Sequence, residues 1–225
     1  SLLVQVIFLL LIIFFQFKIT DIPVMEASSR KKIKKTSELL KDIKVILFSI
    51  IIFFQVGVEF SIVTWLAPFL KDIQSRSDYM VSFYISLFFI TFTIGRLLAS
   101  NFVEKVGYYN YLIYSGIIAA LLITTALIGG YNLTILIPLS GLFLAGQVPT
   151  LQAAILDTFG SSGIKVVGFS QTAGMIGLTV LSNWTVGLIN DLIAIEAGFA
   201  FLVLILGAAI FITYYLKTIT QNVEA

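Results

Sequence analysis

Length, composition and charge exclude an ordinary water-soluble domain. The 225 residues are 59% hydrophobic and only 12% charged, whereas soluble domains average about 25% charged residues. The sequence has no Cys and no His, which excludes thiolate metal sites and removes the commonest general base. Its net charge of +2 is too small to indicate a nucleic-acid partner. Lipid is therefore the expected solvent for most of the surface.

Seven apolar runs, each near the 20 residues needed to cross a bilayer, follow one another along the chain. They cover residues 2–17, 45–70, 80–99, 111–129, 133–156, 166–189 and 197–216. Barrel strands would alternate apolar and polar residues over about ten positions, whereas these runs are apolar all round. The sequence predicts an all-α membrane protein, a polytopic helix bundle. Because Ser1 and Leu2 open directly on an apolar run, the first helix is expected to be truncated and the chain to be part of a longer protein.

The loops between the runs predict the orientation. If successive loops alternate sides, Lys71 and Arg76 fall on one side and the rest of the 14 Lys and Arg on the other. Basic loops stay in the cytoplasm, so a multi-pass protein of the cell membrane with a cytoplasmic C-terminus is expected. The long basic loop 18–44 is either a solvated linker or carries a short amphipathic helix at 37–44 on anionic headgroups.

Glu59 is the acidic residue that lies well inside a predicted span. A charge at that depth is costly, so it is a candidate functional group by default. Gln55 precedes it by one turn and shares its helix face. One interpretation is a proton-titrating or substrate-binding carboxylate that faces a central cavity. The other is a hydrogen-bonded Glu that fixes helix packing, and the sequence leaves both open.

The further candidate residues inside predicted spans are Tyr84, Gln147, Gln171 and Asn183. Amides in hydrocarbon need partners, so each of the three amides should face the bundle interior or a wet cavity. Each one alone is explained by an interhelical hydrogen bond. Together with Glu59, they predict a polar cavity whose uncharged amides and aromatic ring suit a polyol or sugar.

A second group of residues is expected at the cytoplasmic surface. Gly95 and Arg96 end the third predicted span, Gly107 follows after a short loop, and Asp157 ends the fifth span on the same side. An ion pair between Arg96 and Asp157 would help to hold one conformational state. Alternatively, Arg96 anchors to phosphate headgroups. The sequence contains no phosphate loop, dinucleotide fingerprint, metal-spaced cluster or Ser/His/Asp set, so neither an enzyme nor a cofactor is predicted.

These motifs, taken in order, resemble the major facilitator superfamily. Gly95-Arg96-Leu97 with Gly107 resembles the signature loop of its second half. Gln55-Val56-Gly57-Val58-Glu59, with Ser61 and Trp65-Leu66, is similar to the seventh helix of the fucose-permease-like branch. Gly146-Gln147-Val148-Pro149-Thr150 resembles a Gly-x-x-x-Pro-Thr stretch in that branch's tenth helix.

The resemblance implies the C-terminal half of such a transporter. Residues 1–17 would be the last helix of the N-terminal half, 18–44 the cytoplasmic interdomain loop, 45–217 the six-helix C-terminal domain and 218–225 a cytoplasmic tail. Two halves rocking around a midplane site would move a small polar solute, with sugars and proton symport as expectations. The missing N-terminal half would be the structural partner. In fucose permeases that half supplies the proton-handling acids, which sets the expectation for Glu59 against a coupling role.

A receptor is the alternative from another class. Seven spans fit a seven-helix membrane receptor that binds a ligand without transporting it, and such a protein would pack all its helices into one ring. In a transporter half, the last six helices form one bundle. A membrane-embedded enzyme is the least favoured reading, because no catalytic cluster is present.

Overall fold

The computed structural model describes residues 36–221, which belong to one compact unit beginning at Lys34. The described residues are almost entirely helical. The helices are α1 (Thr36–Leu39), α2 (Ile43–Pro68), α3 (Asp78–Val106), α4 (Tyr108–Gly129), α5 (Leu136–Leu144), α6 (Gln147–Phe159), α7 (Gly163–Gly177), α8 (Val186–Leu192) and α9 (Ile195–Gln221). A π-helical turn, Phe69–Ile73, continues α2, and a π-helical segment, Leu178–Thr185, joins α7 to α8.

Five helical stretches of the described chain are long and apolar enough to cross a membrane. The fourth of them, Leu136–Leu192, has 57 residues, far more than the roughly 20 that one crossing needs. It reverses at Gly160, whose φ of 51° is typical of a glycine turn. A Cβ on Gly163 would stand 2.9 Å from Cα of Leu156, so α6 and α7 pack against each other immediately after the turn. This stretch therefore holds two of the predicted spans.

α2 is the central helix of the bundle. It packs most extensively against α7 and α9, while α3 packs on α5, and α4 packs on both α5 and α9. Two apolar clusters fill the interior, and the fully buried Phe48, Phe88 and Phe199 are their largest members. The predicted all-α membrane bundle is confirmed. The predicted first span, 2–17, lies outside the described residues, and the domain boundaries stay predictions.

Glycines bring α7 against α2. A Cβ on Gly174 would stand 3.0 Å from Val56, and a Cβ on Gly177 would overlap the backbone of Phe53. On the other helix, a Cβ on Gly57 would stand 2.6 Å from the Leu181 side chain. Small residues at such positions let membrane helices approach closely, which compensates for the lack of a hydrophobic driving force in lipid. This contact is the tightly packed side of α2.

The π-helical segment is stabilised from α2. A π-helical turn disturbs the regular i to i−4 hydrogen bonds and leaves carbonyl groups in need of donors. Trp65 donates its indole N–H to the carbonyl oxygen of Ser182 at 2.9 Å. The Ser182 hydroxyl lies 3.4 Å from the Thr64 hydroxyl. The hydrogen bonds from α2 therefore stabilise a segment whose unpaired carbonyl groups would be costly in hydrocarbon.

Two helices end elsewhere than the sequence suggested. α3 continues beyond Ala99, the end of the predicted third span, to Val106, because no helix breaker precedes Gly107, whose φ is 81°. Of the two alternatives for the basic loop, a helix over 37–44 is not formed: α1 ends at Leu39, which is fully buried, and Asp42 then caps the start of α2 by accepting a hydrogen bond from the Lys44 N–H at 3.0 Å.

Candidate functional site

One face of α3 is buried against α5, and the rest of the helix surface is exposed. Thr91 donates a hydrogen bond at 2.7 Å to the carbonyl oxygen of Pro138, a residue of helix α5. A Cβ on Gly95 would overlap the backbone of Leu142, so α3 and α5 touch along their main chains. The remaining circumference of α3 is exposed on two flanks of opposite character.

We call one exposed side the polar flank of α3. Its positions recur every three or four residues and therefore lie in one stripe along the helix. All of them are exposed, and six of the seven are polar or charged: Ser82, Ser86, Phe89, Thr93, Arg96, Ser100 and Glu104. A hydroxyl-rich stripe of this length is unusual on a surface made for lipid.

We call the other exposed side the apolar flank of α3. It is displaced from the polar flank by only one residue in sequence, which is about 100° around a helix. Its members are mostly large hydrophobic side chains, with two polar residues near the end of the helix: Phe83, Ile90, Ile94, Leu97, Leu98, Asn101 and Lys105. This composition is the one expected of a surface in contact with acyl chains.

Two opposite charges face the space between α2 and α3. Glu59 is half-buried on α2, and the Arg96 guanidinium on α3 interacts with it electrostatically. α2 and α3 pack against each other much less than α2 and α7 do. Arg96 also stacks over the Phe92 ring, with its guanidinium carbon 4.8 Å from the ring centroid. We refer to Glu59 and Arg96 as the charged pair.

The depth of the charged pair differs from the prediction for Arg96. Glu59 lies near the middle of the stretch Ile43–Ile73. Arg96 precedes the last residue of α3 by ten positions, or about 15 Å along the helix axis. Arg96 is therefore well inside the helix and not at its end. Gln55 lies one turn before Glu59 and is buried, with 4% of its surface exposed.

A cleft continues from Arg96 towards the end of α3. It has a volume of about 330 Å³ and lies between α3, the start of α4 and α6. The polar groups that line it are Arg96, Ser100, Glu104, Tyr108 and Thr150. The polar flank therefore ends in a concave surface with donors and acceptors for a solute or for another protein segment.

The predicted ion pair between Arg96 and Asp157 is not formed. Within residues 36–221 the salt bridge found joins Lys71 and Asp78, with 2.8 Å between Nζ and Oδ1. Asp157 is exposed two residues before the end of α6, and Ala153, one turn earlier, lines the same cleft as Arg96. A role of Gly95, Arg96, Gly107 and Asp157 in conformational switching stays a prediction.

Gln147 is buried and unpaired. Only 1% of its surface is exposed, and neither atom of its amide has a hydrogen-bond partner. A Cβ on Gly116 of α4 would stand 3.4 Å from its Nε2 atom, and the same glycine faces Ile210 of α9. Gln147 therefore points into the bundle and does not lie on the polar flank. Its predicted part in binding is left as a prediction.

Tyr84 lies near the opposite end of α3. It is buried in an apolar cluster, and the Arg76 guanidinium carbon is 5.3 Å from its ring centroid. The same guanidinium is 3.4 Å from the Tyr131 ring and donates to the Tyr131 carbonyl oxygen at 2.6 Å. Arg76 therefore links the loop before α3 to the loop after α4. It supports a packing role for Tyr84, while binding remains a prediction.

Gln171 and Asn183 lie on the helix that follows Gly163. Gln171 is half-buried on α7, and Asn183 is exposed within the π-helical segment. A hollow of about 450 Å³ lies over this segment, lined by Thr179, Trp184 and Thr185 among others. π-Helical turns are frequent at functional sites, so Asn183 stays a candidate for binding.

The residues missed by sequence reasoning are the hydroxyls of the polar flank. Ser82, Ser86 and Thr93 are individually unremarkable in a membrane span, because Ser and Thr bond back to their own helix. Thr93, for example, donates to the Phe89 carbonyl oxygen at 2.8 Å. Their spacing of four and seven residues was the signal that could have identified them.

Comparison with known proteins gives a match of fold. No family model matches the chain, and no curated protein matches it in sequence. Among solved structures, the chain is similar to a crystal structure of a major facilitator superfamily transporter, FucP, in the outward conformation. The match has a TM-score of 0.77 at 16% identity and covers 92% of this chain but 51% of that one. The chain thus spans about half the length of its structural neighbour.

Proposed function

We propose, from the premise that this chain has the fold of one half of a major facilitator transporter, that it forms part of a secondary active transporter. The complete protein would move a small polar solute by alternating access, with the site at the interface between two halves. A fold alone does not establish an activity. The proposal therefore depends on what the described residues offer at the surface where a second half would face them.

The charged pair carries the proposal. Glu59 and Arg96 lie inside membrane-spanning helices, Arg96 is exposed, and within residues 36–221 the two form no salt bridge with each other. Charged groups in a bilayer are expensive and face a bundle interior or a watery cavity. Since the polar flank that carries Arg96 is exposed in the described part of the chain, a water-filled cavity shared with a second half would stabilise both charges.

The groups around the charged pair suit a neutral or weakly charged polar solute. The exposed Ser86 and Thr93 hydroxyls can accept hydrogen bonds, although Thr93 already donates its own proton to the Phe89 carbonyl oxygen, and Arg96 offers donors only. If a second half covers these groups, a hydrogen-bonding site of this kind would favour hydroxyl-bearing ligands. We propose sugars and polyols as the substrate class, and a protonatable Glu59 as a candidate for proton symport.

The test is uptake by the full-length protein in proteoliposomes. A panel of radiolabelled hexoses, pentoses and polyols is offered with and without an inward proton gradient, and Glu59→Gln is measured beside the unsubstituted protein. We expect one class of sugar or polyol to accumulate. In Glu59→Gln, uptake should lose its dependence on the gradient, because an amide cannot carry the proton.

The control is Glu196→Gln, which removes an exposed carboxylate from the first turn of α9. Its uptake should equal that of the unsubstituted protein at every pH. Gradient-driven uptake that is identical in Glu59→Gln would remove Glu59 from coupling. Binding of a panel member without any uptake, in vesicles shown to be sealed, would contradict transport and favour the receptor alternative.

A further inference from the structure

An apolar groove separates α3 from α4. The two helices are joined by Gly107 alone, yet they diverge and pack only lightly against each other. The space between them has a volume of about 310 Å³ and is closed at the back by α5. Small residues form its floor, and large ones its walls: Gly95, Ala99 and Ser115, and then Leu98, Phe102 and Tyr114.

The groove opens towards lipid and away from the charged pair. On α3 its rim is the apolar flank, since Leu98 is 43% exposed and belongs to both. On α4 the exposed residues next to it are also apolar, among them Ile118 and Leu121. The polar flank, with Glu104 at its end, lies on the other side of α3. Hydrocarbon is therefore the medium at the groove opening.

One end of the groove carries positive charge. Val106 lines this end, and its carbonyl oxygen accepts a hydrogen bond from Nδ2 of Asn110 at 2.9 Å. The Oδ1 atom of the same Asn110 accepts a hydrogen bond from Nζ of Lys217 at 2.8 Å. This chain of contacts holds the ammonium group of α9 near the mouth of the groove.

A second lysine stands beside this mouth. Lys105 is exposed, directly precedes Val106, and lies on the apolar flank about two turns beyond Leu98. Within residues 36–221, neither Lys105 nor Lys217 forms a salt bridge with a carboxylate. The mouth therefore presents two unneutralised cations at the depth where helices end and lipid headgroups begin.

We infer that the groove binds one acyl chain of an anionic phospholipid, whose phosphate lies between Lys105 and Lys217. The apolar walls accept the chain, and the small residues of the floor provide its depth. Anionic headgroups are attracted by basic residues near the membrane surface, with about 1 kcal/mol for each lysine. The leaflet is the one on the basic side of the protein, which the loop charges predict to be cytoplasmic.

The test uses the full-length protein purified in detergent and incubated with phosphatidylglycerol or phosphatidylcholine of the same acyl chains. Native mass spectrometry counts the lipid molecules retained. The unsubstituted protein should retain one phosphatidylglycerol in preference to phosphatidylcholine. In the double variant Lys105→Gln and Lys217→Gln, this preference should fall by roughly tenfold or more, as expected from about 1 kcal/mol for each charge.

The matched control removes two other lysines, with Lys41→Gln and Lys165→Gln, both exposed and both expected on the same side of the membrane. It should keep the preference for phosphatidylglycerol. Equal preferences in the two double variants would overturn the headgroup site. Displacement of the lipid by millimolar inorganic phosphate alone would also overturn it, because the acyl chain would then contribute nothing.

The groove itself is tested by filling it. Leu98→Trp should abolish tight retention of both lipids, whereas Leu204→Trp, at a position on α9 that is 71% exposed, should not. Size-exclusion chromatography confirms that each variant is folded, and Leu98→Phe replaces Leu98→Trp if the larger ring prevents folding. Unchanged lipid retention in a folded groove variant would contradict acyl-chain binding.

Discussion

The polar and apolar flanks of α3 are formed by residues that are neighbours in sequence, but the two flanks suit different surroundings, water and lipid. Thr93 lies on the polar flank and Ile94 on the apolar flank, at the same depth and about 100° apart around the helix. The polar flank carries Arg96 of the charged pair, and the apolar flank forms the rim of the groove and carries Lys105. One helix thus separates a surface that requires water from a surface that requires lipid.

Exposure alone does not show which surface of α3 faces lipid. Both flanks are exposed in the isolated chain, so accessible area does not distinguish them. Composition along the stripe does, because hydroxyl and charged groups are stable only where water or a polar partner reaches them. On the proposed function, a second half would meet the polar flank, and the bilayer would meet the apolar flank.

The largest expected effect is the loss of uptake when Arg96 is replaced by Gln. Removal of a charged donor from a solute or from Glu59 costs about 1.5–3 kcal/mol, so uptake in proteoliposomes should fall by tenfold or more. Arg96→Lys, which keeps the charge but not the planar fork, should recover only part of the rate.

The control for this prediction is Lys41→Gln, an exposed lysine outside the bundle helices, which should transport normally. If Arg96→Gln transported as well as Lys41→Gln, the polar flank would have no part in the solute pathway. The two flanks would then differ in composition but not in function.

A middle-sized effect is expected when one acidic residue is moved between the flanks. Ile94→Asp would place a carboxylate against lipid, at a cost of about 3 kcal/mol for insertion near the centre of a helix. Thr93→Asp would place it beside water and near Arg96, and should insert normally. The measurement is the yield of membrane-integrated protein and its thermal midpoint. Equal yields of the two variants would show that both flanks meet the same solvent.

The smallest expected effect concerns the buried face of α3. Gly95→Ala adds a Cβ that overlaps the backbone of Leu142, and overpacking of this kind costs about 1–3 kcal/mol. Gly207→Ala on α9, where a Cβ meets nothing within 4 Å, is the matched control and should be neutral or slightly stabilising. The midpoints of thermal unfolding are compared. A Gly95→Ala protein as stable as the control would show that α3 is free to move away from α5.

The sequence predicted the architecture because bilayer-length apolar runs are a strong signal. The positions of α2, α4 and α9 agree with the predicted runs to within a few residues at most ends. The end of α3 was missed because the charged residues after Ala99 resemble a loop in composition, although the backbone continues as a helix to Val106. The apolar run therefore underestimated the length of α3.

The site was only partly predictable. Glu59 and Gln55 could be placed on one face from their spacing, because a helix fixes that relation. The link between Glu59 and Arg96 could not, since it depends on how α2 and α3 lie in space. Gln147 illustrates the same limit. An amide in a membrane span suggests a cavity, but the Gln147 side chain is directed towards Gly116 and is buried. Rotation of a helix about its axis is set by packing and is not encoded in hydropathy.

The difference between the flanks is tested most directly by single cysteines in the full-length protein, since these 225 residues contain none. Ser86→Cys and Thr93→Cys report the polar flank, and Ile90→Cys and Ile94→Cys report the apolar flank, with Thr93 and Ile94 as the pair matched in depth. In native membranes, a water-soluble, charged thiol reagent should label the first two at least about tenfold faster, because thiolates form in water and not in hydrocarbon. Equal labelling of Thr93→Cys and Ile94→Cys would contradict the account.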